Sequence, residues 1–226
     1  MSSFKGAHFA KDIILVGVRW YVSYPLSYRH IEELMEERGE SVDHATIQRW
    51  VVKYSPLMEA AFHRRKRLVW VSWRMDETYI RIKGQWYYLY RALDKTGQTI
   101  DFLVTKHRDE RAAKRFLTKA SRRHGVPEKI TIDGSAANEV AIKSYNEEHG
   151  PSIVIRQVKY LHNIVEQDHR AVKRVTRLML GFKSFDAAQS TLAGVELMHM
   201  LKKKQMAIQD GEERLTAVQQ FYALAA

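Results

Sequence analysis

The sequence predicts an α/β protein with a mixed sheet in the order βββαβαβα, preceded by a small all-α helix-turn-helix domain. Three observations indicate this fold class. Up to residue 62, apolar residues recur with the period of amphipathic helices. From Leu68 onward, β-branched and aromatic residues dominate, and glycine-containing turn signals separate the segments. After the third strand, helical and extended segments alternate, which favours a sheet covered by helices on its faces.

Three helices are predicted for the N-terminal part. A helix over residues 8–24 carries an apolar stripe, and the helix-periodic segment RHIEELMEERG follows Pro25. Gly39 then supplies a turn, and Asp43 is the expected N-cap of the next helix. In a helix-turn-helix motif, the first residues of the second helix reach the edges of DNA bases. The residues at those positions are His44, Ala45, Gln48 and Arg49.

A basic run, His-Arg-Arg-Lys-Arg, occupies residues 63–67. We interpret residues 63–70 as a linker in which Arg64 and Arg65 contact DNA phosphates. The alternative is a plain helical domain that makes protein contacts. Residues 1–65 favour that alternative, because they carry 9 basic and 8 acidic side chains and are nearly neutral. The basic run that follows favours DNA.

The predicted sheet begins as an antiparallel meander. Lys83-Gly84 is its first hairpin turn, and residues 95–97 form the second. Gly125 and Gly150 end the two helices that flank the fourth strand, and Ser184 is a candidate N-cap for a C-terminal helix. The predicted segments are LVWVSWRMDETYIRIKG, QWYYLYRALD, QTIDFLVTKH, HRDERAAKRFLTKASRRHG, KITID, SAANEVAIKSYNEEHG, SIVIRQV, the helix of Glu166, AAQSTLAGVELMHMLKKKQ and a short segment near Leu215–Phe221.

Charge and composition narrow the classes of function. The net charge is +11, and residues 66–125 carry 15 basic and 6 acidic side chains. A polyanion is the natural partner of such a surface; the alternative is a merely basic protein. Cysteine is absent, which excludes disulfides, thiolate metal sites and thiol catalysis. Without a bilayer-spanning apolar run or a signal-peptide pattern, an intracellular protein with no membrane partner is expected.

Three acidic residues are the candidate catalytic and metal-binding residues. Asp76 lies on the first strand, Asp133 ends the fourth, and Glu166 lies on a helix. Strand ends are where open α/β sheets hold ligands. Carboxylates without cysteine or histidine between them suit Mg²⁺ or Mn²⁺, and two such ions act together at phosphorus. The simpler alternatives are a strand-end acid for Asp76, a turn cap for Asp133 and a surface ion pair for Glu166.

The helix of Glu166 has two different faces at 100° per residue. We expect the face shared with the glutamate to meet a phosphate backbone, with a solvated surface as the alternative. Its cations are Arg170, Lys173, Arg174 and Arg177, with His169 at the edge. Asp168 falls in the opposite, apolar arc, where a buried carboxylate must be paired or hydrogen-bonded. We therefore interpret Asp168 as an anchor between this helix and a neighbouring element.

The chain resembles bacterial insertion-sequence transposases of the DDE type, in particular the group called the sixth insertion-sequence family. The resemblance covers nearly the whole chain. Two features depart from it: His162 stands where many relatives carry asparagine, and only 32 residues separate Asp133 from Glu166. The segments that carry the resemblance are FKGAHFAKDIIL, SYRHIEELMEERGESVDHATIQRW, WRMDETYIRIKGQWYYLYRALDKTGQTIDF, KYLHNIVEQDHRAVKR and LGFKSF.

The resemblance implies a ribonuclease-H-like fold, shared with retroviral integrases, in which Asp76, Asp133 and Glu166 bind two Mg²⁺ or Mn²⁺ ions. It also implies that Lys173 meets terminal DNA. The implied enzyme cuts double-stranded DNA at terminal inverted repeats and joins the freed 3′-hydroxyl to target DNA. One alternative is an inactive or regulatory copy that occupies the ends without catalysis, which the intact triad disfavours. Another is an RNA-cleaving nuclease, which the helix-turn-helix disfavours.

These expectations divide the chain into four parts. Residues 1–62 form a helix-turn-helix DNA-binding domain and residues 63–70 a basic linker. Residues 71–182 form the ribonuclease-H-like DDE catalytic domain, and residues 183–226 a C-terminal helical segment packed on the core. Because two DNA ends are handled together, a homodimer is expected. The resemblance places it in the bacterial cytoplasm, associated with the nucleoid.

Overall fold

The structure is a computed structural model that describes residue 4 and residues 7–150, 152–158, 162–179, 182–207 and 215–225. The side chains of residues 162–164 and 178 lie outside this description. His162, where the sequence departs from the family resemblance, is one of them. No helix in the described ranges is both long and apolar enough to cross a membrane. The elements are α1 (Lys11–Ser23), α2 (Tyr28–Glu36), α3 (His44–His63), β1 (Ser72–Ile82), β2 (Gln85–Asp94), β3 (Thr99–Thr105), α4 (Glu110–His124), β4 (Lys129–Ile132), α5 (Ala136–His149), β5 (Val154–Gln157), α6 (His162–Thr176), α7 (Phe185–Lys202) and α8 (Ala217–Ala223).

Five strands of the described ranges form one mixed sheet in the order β3-β2-β1-β4-β5. Strands β1, β2 and β3 pair antiparallel, which confirms the predicted meander. Strand β4 pairs in parallel with both β1 and β5. Parallel neighbours need crossover connections, and α4 and α5 supply them. The chain order βββαβαβα is therefore the predicted one.

The core of the sheet lies on the face that α4 and α5 cover. Trp73 and Met75 of β1 are buried in one cluster with Ile130 of β4 and Phe116 of α4. Because side chains alternate across a strand, the residues between them in β1 face the other side of the sheet. This alternation separates Asp76 from the core face and directs its carboxylate to the opposite face.

The β1–β2 connection is the predicted two-residue hairpin turn. Lys83 and Gly84 have φ angles of 50° and 77°. Positive φ at both central residues is the requirement of a type I′ turn, whose twist matches that of the flanking strands. Ile82 pairs with Gln85 directly across this turn. The turn therefore sets the register of the whole hairpin.

The chain forms two compact units, one made of Met1–Arg67 with Ala171–Ala226 and the other of Leu68–Arg170. In the first unit, α3 contacts α1, α2 and α7, and it runs through Pro56 to a length of 20 residues. The sequence-based ranges assigned residues 183–226 to a segment packed on the catalytic core, whereas α7 packs against α1 and α3. A close approach at Gly194 allows this packing, since Val22 of α1 and Ser55 of α3 lie directly against it.

We expect Gly194→Ala to destabilise the fold. An added Cβ would lie 2.5 Å from Cγ1 of Val22 and 3.0 Å from Cβ of Ser55, and such overpacking costs ~1–3 kcal/mol. Gly17→Ala is the matched control, because the nearest atom there is the flexible end of Met35 at 3.3 Å. Alanine also favours a helix over glycine by ~1 kcal/mol. Urea unfolding measures both variants, and an unchanged midpoint for Gly194→Ala would contradict the close packing.

Candidate active site

Two of the predicted acidic residues follow the paired stretch of two adjacent parallel strands, Asp76 within β1 and Asp133 directly after β4. The paired stretch of β1 and β4 ends with Arg74 opposite Thr131. Two further residues in this register would bring Asp76 level with Asp133, which directly follows the end of β4. Neighbouring strands are ~4.8 Å apart, and side chains in register on parallel strands point to the same face. The carboxylate of Asp133 also accepts a hydrogen bond of 3.2 Å from the backbone N–H of Ser135.

Helix α6 is anchored to the face of Asp76 by a buried ion pair. Arg91 of β2 lies opposite Asp76 in the β1–β2 register. Its Nη2 is 2.6 Å from Oδ2 of Asp168, and the two side chains are 0% and 8% exposed. This pair confirms the interpretation of Asp168 as an anchor of its helix. Removing one partner of a buried ion pair destabilises the fold strongly, because the other charge stays buried without its counter-charge.

His169 follows the anchor and contacts the first acidic residue. Its Nε2 lies 3.3 Å from Oδ2 of Asp76, and its ring is buried. The sequence placed His169 at the edge of the cationic face, where it was expected to reach phosphate. That expectation is corrected. The ion pair between Asp168 and Arg91 holds this part of α6 against the sheet, and His169 is therefore buried against Asp76.

Glu166 lies one turn before His169 on α6, and residues three apart share a helix face. Its half-exposed carboxylate accepts a hydrogen bond of 2.9 Å from Nη2 of Arg170. An exposed pair at this spacing contributes little to stability. The remaining cations of the predicted basic face, Lys173, Arg174 and Arg177, are all exposed.

Glu77, the neighbour of Asp76, belongs to a network on the core face of the sheet. It accepts a hydrogen bond of 3.0 Å from Nδ2 of Asn138 and pairs with Arg108 of the β3–α4 connection. Burial raises the pKa of Glu77, while Asn138 and Arg108 oppose this rise and the charge of Asp76 adds to it. Burial is the largest single influence on Arg108 and acts to lower its pKa, but the charge of Glu77 and the hydrogen bond to it, together with smaller contributions from Tyr79 and Asp133, raise the pKa overall. Since Asn138 lies in the first turns of α5, the network ties the turn after Asp133 to β1.

The predicted base-reading residues begin α3. Asp43 caps this helix as predicted, and its Oδ1 accepts hydrogen bonds from the backbone N–H groups of Ala45 and Thr46 at 2.9 and 3.0 Å. Nδ1 of His44 lies 3.0 Å from Oε2 of Glu32, so His44 joins α3 to α2. Gln48 is half-buried and Arg49 is exposed. Arg49 also borders a groove of about 510 Å³ whose lining residues are Ala7, His8, Phe9, Asp43, Thr46, Arg49, Trp50, Lys53 and Tyr54.

The basic run after α3 is tied to the C-terminal part of the same unit. Arg64 is exposed at the end of the helix. The carbonyl of Arg65 accepts a 2.6 Å hydrogen bond from Ala207, and the backbone N–H of Arg67 donates to Gln205 at 2.8 Å. The segment predicted as a linker therefore includes paired backbone at residues 65–67.

Residues 70–205 match the model of a protein family described as a DDE domain. Over 212 residues, 90% of each chain, the sequence is 40% identical to the transposase for insertion sequence-like element IS431mec of Staphylococcus aureus. It is 39% identical to the transposase for insertion sequence element IS257 in transposon Tn4003 of the same species, again over 90% of each chain. The chain belongs to the DDE transposases of bacterial insertion sequences. The transposase is thus a polynucleotidyl transferase of DNA transposition, and the binding-only alternative is not favoured.

Retroviral integrase cores are among the solved structures to which the chain is partly similar. The HTLV-2 integrase catalytic core domain in complex with magnesium has a TM-score of 0.47 and 16% identity, over 69% of the transposase and 98% of that chain. The catalytic core domain of BIV integrase has a TM-score of 0.43 and 19% identity, over 61% of the transposase and 86% of that chain.

Several residues around the site have roles that sequence reasoning missed. The role of Arg91 could have been predicted from the sequence. Arg91 is a cation within the otherwise apolar run Leu-Tyr-Arg-Ala-Leu, and Asp168 is a carboxylate in an apolar helix arc, so each needs a partner of opposite charge. The sequence contains no comparable indication of the Glu77 network. Its partners Arg108 and Asn138 are 31 and 61 residues away in the chain, and nothing local relates them.

Proposed function

We propose that Asp76, Asp133 and Glu166 are the catalytic, metal-binding residues of the transposase. In this proposal they cut DNA at insertion-sequence ends and join the freed 3′-hydroxyl to target DNA. The observation that supports the proposal is the parallel pairing of β1, which carries Asp76, with β4, which Asp133 directly follows. Glu166 is one turn from the contact that α6 makes with Asp76. Family membership supports the reaction, and this geometry supports the choice of residues.

The chemistry of these residues fits two hard divalent cations, Mg²⁺ or Mn²⁺. Carboxylate oxygens are the ligands that such ions prefer, and the chain has no thiolate to compete for a softer metal. When bound, the ions would supply Lewis-acid stabilisation of the charge that develops at phosphorus. His169 restrains Asp76, the Glu77 network restrains the turn of Asp133, and the Asp168 anchor restrains α6. The carboxylates are thereby oriented before DNA arrives, which lowers the cost of reaching the reactive geometry.

We propose that three surfaces of the transposase bind double-stranded DNA. The α2–α3 pair reads base edges of the terminal inverted repeats through Gln48 and Arg49, with His44 holding the two helices together. The basic run contributes phosphate contacts from Arg64 and Arg65. The α6 face contributes phosphate contacts from Arg170, Lys173, Arg174 and Arg177. Because both ends of an element must be processed together, the active species is a homodimer, and it acts at the bacterial nucleoid.

A joining assay tests the proposed reaction. Labelled duplex carrying an insertion-sequence end is incubated with supercoiled plasmid and Mg²⁺. The expected product is plasmid joined to the labelled 3′ end, and chelation of the metal should abolish it. A scrambled end sequence is the control. Joining in the presence of chelator, or equal joining of the scrambled end, would contradict the proposal.

The division of labour in DNA binding gives a separate prediction. Gln48→Ala with Arg49→Ala should weaken binding to the specific end more than to random duplex, since each base-edge contact is worth ~1–3 kcal/mol.

Lys173→Ala should weaken binding to the specific end and to random duplex equally, and should reduce the salt slope of binding by ~1, because it removes one phosphate contact. Titrations with both duplexes at several salt concentrations distinguish these outcomes. Equal losses for the α3 double variant would show that its residues read no sequence.

A further inference from the structure

Arg49 lies at the centre of the outward face of α3. With Arg49 at zero and 100° per residue, the fully buried residues Ile47 and Met58 fall roughly 160–180° away. Thr46, one turn earlier, and Lys53, one turn later, share the outward face with Arg49. Arg49 and Lys53 are both exposed. A partner that approaches α3 from solvent therefore meets Arg49 at the centre of its contact.

The segment before α1 forms the second wall of a groove along this face. The ring of Phe4 stacks on Tyr54 with the centroids 4.6 Å apart, and Phe9 meets Trp50 edge-on at 5.2 Å. Tyr54 and Trp50 are buried residues of α3, so the segment is fixed to the helix at two points. The groove between them has a volume of about 510 Å³. Volumes of roughly 300–1,000 Å³ are typical of ligand-binding clefts.

Cations line the groove, and its acidic residue is already engaged. Arg49 and Lys53 border the groove together with the exposed His8. Among the lining residues that the structure describes, Asp43 is the only acid. Its carboxylate accepts from two backbone N–H groups of α3 and from the hydroxyl of Thr46. A polyanion is therefore the occupant that complements the groove in charge.

A chain of hydrogen bonds orients the guanidinium of Arg49. Oδ2 of Asp43 accepts from the hydroxyl of Thr46, and Oγ1 of Thr46 accepts from Nη2 of Arg49 at 2.6 Å. Arginine has five N–H donors in a rigid fork, so one bond to Thr46 leaves others for a ligand. Because this contact already selects a side-chain conformation, Arg49 loses less freedom on binding than an unconstrained surface arginine.

We propose that Arg49 reads the major-groove edge of one guanine in the terminal repeat, with Thr46 as its positioning residue. Guanine presents two neighbouring acceptors, O6 and N7, and an oriented guanidinium donates to both. Lys53 is a point charge on a flexible stem, and it contacts the adjoining phosphate in the groove. The inference rests on the proposed function, because that function brings α3 to the bases of a terminal repeat.

Base analogues in the end duplex test the inference without any chemistry. Each guanine of a duplex carrying the insertion-sequence end is replaced in turn by 7-deazaguanine, which still pairs with cytosine but lacks the N7 acceptor. Fluorescence anisotropy is measured in chelator. For the wild type, one replacement should lower affinity about tenfold, or ~1.4 kcal/mol, because it removes one charge-assisted hydrogen bond. Arg49→Ala should bind the unmodified end more weakly and should no longer respond to that replacement.

Two variants of Thr46 test its positioning role. Thr46→Val removes the hydroxyl that accepts from Arg49 and should weaken the response to the critical guanine. Thr46→Ser keeps a hydroxyl and should retain the full response. Urea unfolding checks that both variants fold as the wild type does. Equal guanine responses of the valine and serine variants would refute the positioning role.

Lys53→Ala is the matched control, because Lys53 is a second exposed cation on the same face of α3. It should weaken binding to the end and to random duplex equally and reduce the salt slope by ~1. Its response to the critical guanine should equal that of the wild type.

Three results would overturn the inference. One is a wild type for which no single guanine matters, and another is an Arg49→Ala variant that still responds to the same guanine. The third is an equal loss on the end and on random duplex for Arg49→Ala, because that result makes Arg49 a phosphate contact. A change in the sedimentation of Arg49→Ala with its guanine response intact is a case of the second result, and it assigns the groove to a protein contact.

The proposed function fails separately from this inference. Joining by Asp133→Asn would refute the acidic site and leave the guanine comparison intact. If Asp133→Asn loses joining and the Gln48 and Arg49 double variant loses its preference for the end, the proposed function stands. The absence of a critical guanine for the wild type would then refute this inference alone.

Discussion

Asp133→Asn should abolish strand transfer while leaving the fold and the binding of DNA ends intact. The substitution removes one negative charge from the proposed metal-binding set, and metal stabilisation is worth several kcal/mol in such reactions. At ~1.4 kcal/mol per factor of ten, joining should fall by about 10³-fold or more. Asparagine keeps the size of the side chain, and its carbonyl oxygen still accepts from the backbone N–H of Ser135, 3.2 Å away in the wild type. The turn after β4 should therefore persist.

The joining assay with Mg²⁺ measures this effect, and thermal unfolding and end-binding titrations check that the variant is otherwise normal. Asp186→Asn is the matched control, because Asp186 is exposed in the first turn of α7 and belongs to no proposed site. It should join DNA at close to the wild-type rate. Substantial joining by Asp133→Asn would show that Asp133 is a turn residue and not a ligand.

Asp168→Ala is expected to have the largest effect on stability. It leaves Arg91, which is fully buried, without the carboxylate that lies 2.6 Å from its Nη2. Breaking a buried pair in this way costs ~3–5 kcal/mol, which corresponds to a decrease in Tm on the order of 10 °C for a chain of this size. Joining should decrease as well, since the same pair anchors the helix that carries Glu166.

Two further variants separate the buried charge from the loss of a side chain. Glu148→Ala breaks the pair between Lys114 and Glu148, which lies at the surface, and should change Tm little because exposed pairs contribute little. Arg91→Met combined with Asp168→Leu removes both buried charges and should recover most of the stability. A Tm for Asp168→Ala equal to that of Glu148→Ala would contradict the anchoring role.

The sequence alone determined the local features of the transposase. Turn chemistry predicted the hairpin at Lys83-Gly84, and both residues have the positive φ that it requires. Cap chemistry predicted Asp43 at the start of α3, and its hydrogen bonds confirm it. Periodicity predicted the element order and the need of Asp168 for a partner. Each of these depends on residues a few positions apart, so the sequence contains the whole cause.

The tertiary structure alone decided which distant residues meet. Strand β1, which carries Asp76, pairs in parallel with β4, which Asp133 directly follows, and Arg91 is the ion-pair partner of Asp168. The packing of α7 on α3 depends on a close approach at Gly194, since α7 is apolar around much of its surface and its pattern selects no neighbour. Strand order, ion-pair partners and helix neighbours are set by side-chain fit and desolvation between segments far apart in the chain. Periodicity along one segment does not carry that information.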